Sequence, residues 1–317
     1  MKAVFLNAAK LDFDNKLDFS PLTTLTTLTN YDSSENDEIL ARVQDQDIII
    51  TKELPVGRDV ISQFPPSVKL ICEAGTGYNN IDIVAAREKN IDVCNIPSYS
   101  TEAVAQLAIT FVLNLSASLP QQHHMLSRKD FSNFTNFLSV PHFELQGKTL
   151  GVIGAGAIGR NTVRLGLALG MNVIIYDPFP KTFGEDVKFV SIEEVLKQSD
   201  FISLHCPLTA DTKHIINKER LSLMKPSAYI VNTSRGALIN EADLIEALRN
   251  GQIAGAGLDV QEIEPPSTDN PLFEMENVIM TPHIGWRRYE SRQRLVNLMG
   301  DNINAFIEGS PINVVNK

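Results

Sequence analysis

Between the apolar run Lys148–Ile153 (KTLGVI) and the helical pattern Arg160–Leu169 stands Gly154-Ala-Gly156-Ala-Ile-Gly159. A bare G-x-G-x-x-G match is weak evidence. Here the strand pattern, the helix pattern and an acidic residue, Asp177, at the end of the next apolar run all fall in register. The combination specifies a parallel strand–turn–helix unit built to hold a dinucleotide. The glycines permit the tight turn and a close approach of pyrophosphate, and the helix N-terminus stabilises its charge. Asp177 is placed to accept hydrogen bonds from ribose hydroxyls and to repel a 2′-phosphate, which favours NAD over NADP. Lys181, a few residues on, would blunt that preference.

The rest of the chain extends the same alternation of short apolar runs with helical patterns, the signature of parallel sheets with crossover helices. In the first third, Lys2–Leu6, Asp47–Thr51, Lys69–Cys72 and Asp92–Ile96 read as strands, with helices near Asn36–Gln44, Asp59–Phe64 and Ile81–Lys89. Pro97 closes this series, and Ser100 is placed to cap a long apolar helix. A second series has strands at Lys148–Ile153, Asn172–Tyr176, Phe201–His205, Ala228–Thr233, Ala256–Asp259 and Val278–Thr281. Ser191 with Glu194 forms a capping-box pattern, Asn217 and Asn240 suit N-caps, and Asn250–Gly251 suits a helix stop. A last amphipathic helix, Tyr289 to Glu308, is expected to cross back and complete the first domain. The boundaries expected are 1–98 plus 286–317 for one domain and 99–285 for the other, with a double connection suited to a cleft that opens and shuts. The segment from Gln121 to Phe143 lacks clear periodicity and reads as an arm that packs on another subunit.

A length of 317 residues suits two domains, and 43% hydrophobic content supports well-buried interiors. The formal net charge of −10 argues against nucleic acid or an anionic membrane as partner. Small anionic substrates remain compatible, because one local Arg outweighs a diffuse field. Cys72, Cys94 and Cys206 form no CxxC and leave an odd count, which fits a reducing, cytoplasmic compartment. The apolar run of the N-terminus, MKAVFLNAAK, is too short for a signal peptide, and Val104–Leu119, interrupted by Gln106 and Asn114, reads as a buried helix rather than a membrane span. No HExxH or Cys/His cluster suggests a metal.

Three residues carry the chemistry. Arg235, in Asn232-Thr-Ser-Arg-Gly236, lies just past a strand end, where open α/β sheets bind ligands. A guanidinium fork grips a carboxylate and polarises an adjacent carbonyl. His283, in Thr281-Pro-His-Ile-Gly-Trp286, again follows a strand directly, whereas His205, His214 and the histidines at 123, 124 and 142 are weaker candidates. Glu264 precedes Pro265-Pro266. A carboxylate on one imidazole nitrogen fixes the tautomer, so that the other nitrogen can protonate a ketone or deprotonate an alcohol. Glu262 rivals it, and the prolines mildly favour Glu264. Ser234 has no G-x-S-x-G elbow and is not read as a nucleophile. A nicotinamide carries hydride but neither moves the accompanying proton nor holds an anionic substrate, so these groups point to a dehydrogenase.

With GAGAIG and Asp177, HCPLTADT (205–212), NTSRGALINEADL (232–244), GLDVQEIEPP (257–266) and TPHIGW (281–286) in hand, nearly the whole chain resembles the D-isomer-specific 2-hydroxyacid dehydrogenases. The resemblance implies two doubly wound parallel-sheet α/β domains, a Rossmann NAD-binding domain and a flavodoxin-like substrate domain, with a cleft between them and a homodimer as the usual assembly. By motif, Arg235 matches the substrate-binding arginine, Glu264 the acid paired to histidine, and His283 the proton donor and acceptor. Gly75, Thr76 and Gly77 of EAGTGYNNID match the loop whose amides hold the substrate carboxylate, and Trp286 is placed with the substrate. Gly154, Gly156, Ala157, Ile158, Gly159, Asp177, Cys206, Pro207, Thr212, Thr233, Ser234, Asp259 and Gly285 fall at cofactor-contact positions. Ala157 stands where the family often has Arg, so backbone amides must serve the pyrophosphate. STEAVAQ (100–106) and Trp286 look most like the glycerate dehydrogenase/hydroxypyruvate reductase branch, although Gly285, Arg287 and Arg288 depart from the common Ala-rich stretch. The expected reaction is reversible reduction of a small 2-keto acid by NADH. Rival readings are a phosphoglycerate dehydrogenase-like enzyme and a non-enzymatic NAD(H)-sensing protein like the corepressors of this fold.

Overall fold

The computed structural model describes residues 1–179, 184 and 187–317. They form two compact units, Met1–Ser100 with Trp286–Lys317, and Thr101–Gly285. Each is a wholly parallel sheet flanked by helices.

The first unit holds β1 (Lys2–Phe5), β2 (Thr27–Asn30), β3 (Ile48–Thr51), β4 (Leu70–Glu73) and β5 (Asp92–Cys94) in the order β2-β1-β3-β4-β5. β3 and β4 are buried along their whole length, as their continuous apolar runs require when helices cover both faces. β2 escaped the reading of the sequence. Its TLTN is an edge strand with mostly exposed side chains, so no apolar alternation marks it. The helix Tyr289–Ile307 packs Leu295, Val296, Met299 and Ile303 against Phe5, Ile48, Ile50 and Cys72 of this sheet. Each such side chain, fully buried, contributes about 1.5–3 kcal/mol before entropy is counted.

The second unit adds β6 (Thr149–Ile153), β7 (Asn172–Tyr176), β8 (Val187–Phe189), β9 (Phe201–Leu204), β10 (Tyr229–Asn232), β11 (Gly255–Leu258) and β12 (Val278–Met280). Their order, β12-β11-β10-β9-β6-β7-β8, reverses direction between β6 and β9. That is the switch point at which doubly wound sheets bind ligands, outside the carboxyl ends of the strands. Three-residue β8 was too short to read from sequence. Local signals elsewhere hold: Ser191 and Glu194 form the reciprocal capping box, Asn217 accepts from Arg220 N, Asn240 accepts from Asp243 N, and the helix Glu241–Arg249 stops at Asn250–Gly251. The apolar helix Thr101–Ala117 is largely buried, and no single helix among the described residues is long and apolar enough to cross a membrane. Residues 121–143 are less irregular than expected. The helix Leu119–Ser127 runs into them and a short one follows at Ser132–Thr135. Neither buries a residue, so no core imprints a period on the sequence.

One buried charge ties the N-terminal loop to the last helix. Arg292, 2% exposed, donates to both carboxylate oxygens of Asp14 at 2.8 Å, to Leu11 O and, through Nε, to Arg287 O, while Phe13 stacks on its guanidinium. The hydrogen bond from Arg292 holds the Asp14 carboxyl below its ordinary pKa. Such a group stabilises the fold above the unfolded-state pKa and loses that contribution as pH falls through the depressed value. Arg292→Leu is therefore expected to lower the thermal midpoint at pH 7. The gap from wild type should narrow when calorimetry is repeated in acid below the Asp14 transition.

Candidate active site

The chemistry-bearing loops of the second unit all leave the carboxyl ends of parallel strands, so they gather along one edge. The glycine loop follows β6, Asp177 follows β7, Cys206 follows β9, Arg235 follows β10, Asp259–Glu264 follow β11 and His283 follows β12.

At the glycine loop, Gly154 has φ +100°, a conformation that excludes side chains, and a Cβ there would meet Cys206 N at 2.6 Å. A Cβ on Gly159 would stand 2.0 Å from Gly154 O, which is why the helix Ala157–Ala168 lies so close to the turn. Before Gly156, by contrast, the space is open. Gly156 is the N-cap of that helix, no side chain caps it, and no acidic residue lies in its first turn. These first-turn amides suit a phosphate. Asp177 Oδ2 accepts from Ala155 N at 2.7 Å and Oδ1 accepts from Phe179 N, which fixes the carboxylate beside the loop. Lys181 lies outside the described residues.

On the other side of the switch point, Thr233 is 7% exposed and its Oγ1 has no hydrogen-bond partner among the described residues. A buried hydroxyl left so is costly unless a ligand completes it. Together with the open cradle at Gly156, this orphan fits a bound dinucleotide. Ser234 Oγ donates to Cys206 O, and Thr212 Oγ1 donates to Pro207 O, pinning the loop after β9. Burial pushes the Cys206 thiol up to about 11 and the His205 imidazole down to about 3, so both are neutral fixtures here. His205 shares a hydrogen bond with Ser203 at 2.8 Å.

His283 Nδ1 donates to Glu264 Oε2 at 2.8 Å. An ionised carboxylate only accepts, so the proton sits on Nδ1 and Nε2 is left for other chemistry. The two side chains are 24% and 35% exposed, open enough to meet a solute. Glu264 Oε1 in turn accepts from Gln261 N. Glu262, its rival by sequence, is engaged elsewhere: its Oε1 accepts from His214 Nε2 at 2.7 Å. Desolvation raises the Glu262 pKa, but the bonds from His214 and Glu241 N outweigh it and hold the carboxyl low.

The loop that presents His283 is knotted to Asp259. Its Oδ1 accepts from Thr281 Oγ1 and Ile284 N, its Oδ2 from Gly285 N, and its carbonyl from His283 N. Burial raises the Asp259 pKa against these donors. His283 itself has φ +52°, unusual for a residue with a side chain and held by that knot. Sequence placed Asp259 and Gly285 at cofactor contacts. The structure spends both Asp259 oxygens inside the protein, an anchoring role that no motif signalled. Arg235 Nη1 donates to Ser234 O, and Asn232 braces the turn through Ser234 N and Arg235 O. Gly236 lies so close to Gln261 that a Cβ would stand 1.9 Å from its carbonyl oxygen, joining the Arg235 turn to the Glu264 loop.

In the first unit, Gly75 is buried, Thr76 exposed and Gly77 half-buried, in the loop after β4. Thr76 Oγ1 donates to Ile96 O and Thr76 O accepts from Asn95. Trp286 is 5% exposed in the core of this unit, with Lys52 Nζ 4.1 Å from its ring centroid.

Comparisons with known proteins show the family. Residues 109–285 match the model described as D-isomer specific 2-hydroxyacid dehydrogenase, NAD binding domain. The chain is 40% identical to a hydroxypyruvate reductase of Blautia hydrogenotrophica over 100% of both proteins. It is 38% identical to a glycerate dehydrogenase of Methylorubrum extorquens over 88% of each. A glyoxylate reductase from Paecilomyes thermophila superposes with a TM-score of 0.85 at 32% identity, covering 99% of this chain and 98% of that one. The chain belongs to the D-isomer specific 2-hydroxyacid dehydrogenase family, NAD-dependent oxidoreductases acting on the CH–OH group, within its glycerate dehydrogenase/hydroxypyruvate reductase branch.

Proposed function

We propose that this protein reduces a small 2-keto acid of the hydroxypyruvate or glyoxylate type, reversibly, with His283 as the proton donor. The observation that carries the reading is the 2.8 Å bond from His283 Nδ1 to Glu264, which leaves Nε2 as the transferable position. Hydride would come from the nicotinamide when NADH is bound. Glu264 stabilises the imidazolium that precedes transfer, and His283 delivers its proton to the carbonyl oxygen. Neutralising that developing alkoxide is the largest electrostatic demand of the reaction. Arg235 grips the substrate from the end of β10, its fork matched to adjacent carboxylate and keto oxygens. In the first unit, the Gly75, Thr76 and Gly77 loop receives the carboxylate through the amides of Thr76 and Gly77, since Gly75 N already donates to Glu73 O at 2.8 Å, and Trp286 borders the substrate. On this reading residues 1–98 with 286–317 serve the substrate and residues 99–285 the NAD.

Gly154, Gly156, Ala157, Ile158 and Gly159 hold the pyrophosphate, Asp177 the ribose, and Cys206, Pro207, Thr212, Thr233, Ser234, Asp259 and Gly285 line the remainder of the cofactor site. The exposed Phe131, Phe134 and Phe137 of the segment after residue 119 support its use as a homodimer arm. We place the enzyme in the cytoplasm, consistent with three unpaired cysteines. The 40% identity to a hydroxypyruvate reductase over the whole of both chains supports the smaller substrate.

The reading is tested by following NADH loss with glyoxylate, hydroxypyruvate, pyruvate and phenylpyruvate. Turnover with at least the smaller acids is expected, and flat traces with all four would sink it in favour of a nucleotide sensor. His283→Ala should lower kcat roughly 10²–10⁴-fold while NADH binding, read by fluorescence titration, stays near wild type. Retained kcat would remove the proton-transfer role. Arg235→Lys is expected to raise KM and lower kcat together, because an ammonium cannot reproduce the fork; an unaltered KM would count against substrate contact. Asp177→Ala should raise the NADPH to NADH ratio of kcat/KM, and a constant ratio would detach Asp177 from the ribose.

A further inference from the structure

Lys52 is a buried cation that the reaction scheme leaves unused. It follows β3 directly and is 1% exposed, a rare state for lysine that demands a reason. Its ammonium lies 2.6 Å from Glu53 Oε1 and over the face of Trp286. The backbone around it is held firmly. Asn7, past the end of neighbouring β1, accepts from Lys52 N and donates to Lys52 O. Glu53 adopts φ +54° and reaches a second cation, with Lys10 Nζ 3.1 Å from its Oε2.

Beside Lys52 sits a second acid. Glu73, at the end of β4, is fully buried and accepts from Thr51 Oγ1, Glu53 N and Asn80 Nδ2. Burial raises its pKa, and the Lys52 charge is the leading influence in the other direction. Both groups press on the loop after β4. A Cβ on Gly75 would stand 3.3 Å from Glu73 Oε1 and 3.5 Å from Lys52 Nζ. Gly75 is therefore backed by one carboxylate and one ammonium at nearly equal range, with Glu53 a further negative charge behind the ammonium.

We propose that Lys52 is a positioning residue that offsets the buried negative charge beneath the Gly75–Gly77 loop, and so lets that loop receive an anionic substrate. The inference rests on the assignment of this loop to the substrate carboxylate. The physical argument is one of charge balance. Without Lys52, Glu73 stands uncompensated beside Gly75 and Glu53 keeps only its pairing with Lys10, so a carboxylate approaching the loop meets net repulsion in a region where water screens poorly. With it, the Glu73 charge is offset from a neighbouring position, and the amides of Thr76 and Gly77 act on the substrate against less repulsion. Trp286 adds to the arrangement by offering its ring face to the ammonium, which keeps Nζ desolvated yet stabilised. No sequence motif announces this group, because its partners come from β1, β3, β4 and the start of the last helix.

The electrostatic role predicts opposite signs for two neighbouring substitutions, which a merely structural role does not. Lys52→Met in the NADH-loaded enzyme should raise KM for glyoxylate and hydroxypyruvate about ten-fold, leave kcat within about two-fold, and weaken oxalate binding in parallel. Glu53→Gln should lower the same KM and tighten oxalate, and Lys52→Arg should restore values toward wild type. Unchanged KM and oxalate affinity in Lys52→Met, or weakening in both Lys52→Met and Glu53→Gln, overturns the proposal. Should Lys52→Met fail to fold, Glu53→Gln decides alone: tighter binding supports the role, and unaltered or weaker binding overturns it. A wild-type protein that neither turns over any 2-keto acid nor binds oxalate overturns the carboxylate-loop assignment, and this inference with it. A wild type competent in both with an indifferent Lys52→Met overturns the Lys52 role only.

Discussion

A single buried carboxylate organises the loop that presents His283. Asp259 gathers a hydroxyl and two backbone amides from residues 281–285 on its side chain, and its carbonyl takes the amide of His283. Burying a charge without partners costs several kcal/mol, so the segment after β12 has one way to satisfy it. That way puts His283 at a positive φ and turns its Nδ1 to Glu264. The contact of Gly236 with Gln261 extends the same constraint to the Arg235 turn. The side chains of Arg235, Glu264 and His283 are thus held by bonds and contacts made around their own loops. Positions determined in this way need little reorganisation during reaction, which is where much catalytic power originates.

How much of this could be read from the residues depended on whether the signal was local. The glycine loop, the capping box at Ser191 and the helix stop at Gly251 are each written within a few residues, and each is found in place. The family motifs likewise located Arg235, Glu264 and His283 at strand ends. The choice of Glu264 over Glu262 was weak by sequence. In the structure His283 pairs with Glu264, while His214, 48 positions from Glu262, engages the rival. Edge strand β2 and three-residue β8 were missed because neither carries a buried face long enough to show a period. Asp259 and Lys52 show the same limit from the other side. Their identities are plain in the chain, but what they do depends on partners brought from other strands.

The fold explains why an acidic protein is suited to acidic substrates. Parallel strands deliver their loops to one edge of a sheet, so a few charges gathered there outweigh a net charge of −10 spread over the surface. On the proposed reading, the guanidinium of Arg235 at the end of β10 supplies that local positive charge. Elsewhere cations are spent on architecture, as Arg292 is on Asp14.

The state of the thiols has a practical corollary. All three cysteines are buried, and the one on the cofactor side, Cys206, keeps its proton far above neutral pH. Alkylating agents and peroxide attack the thiolate, which is scarce here. Buried thiols give alkylating agents and peroxide little access, so preparations should tolerate handling in air without added reductant.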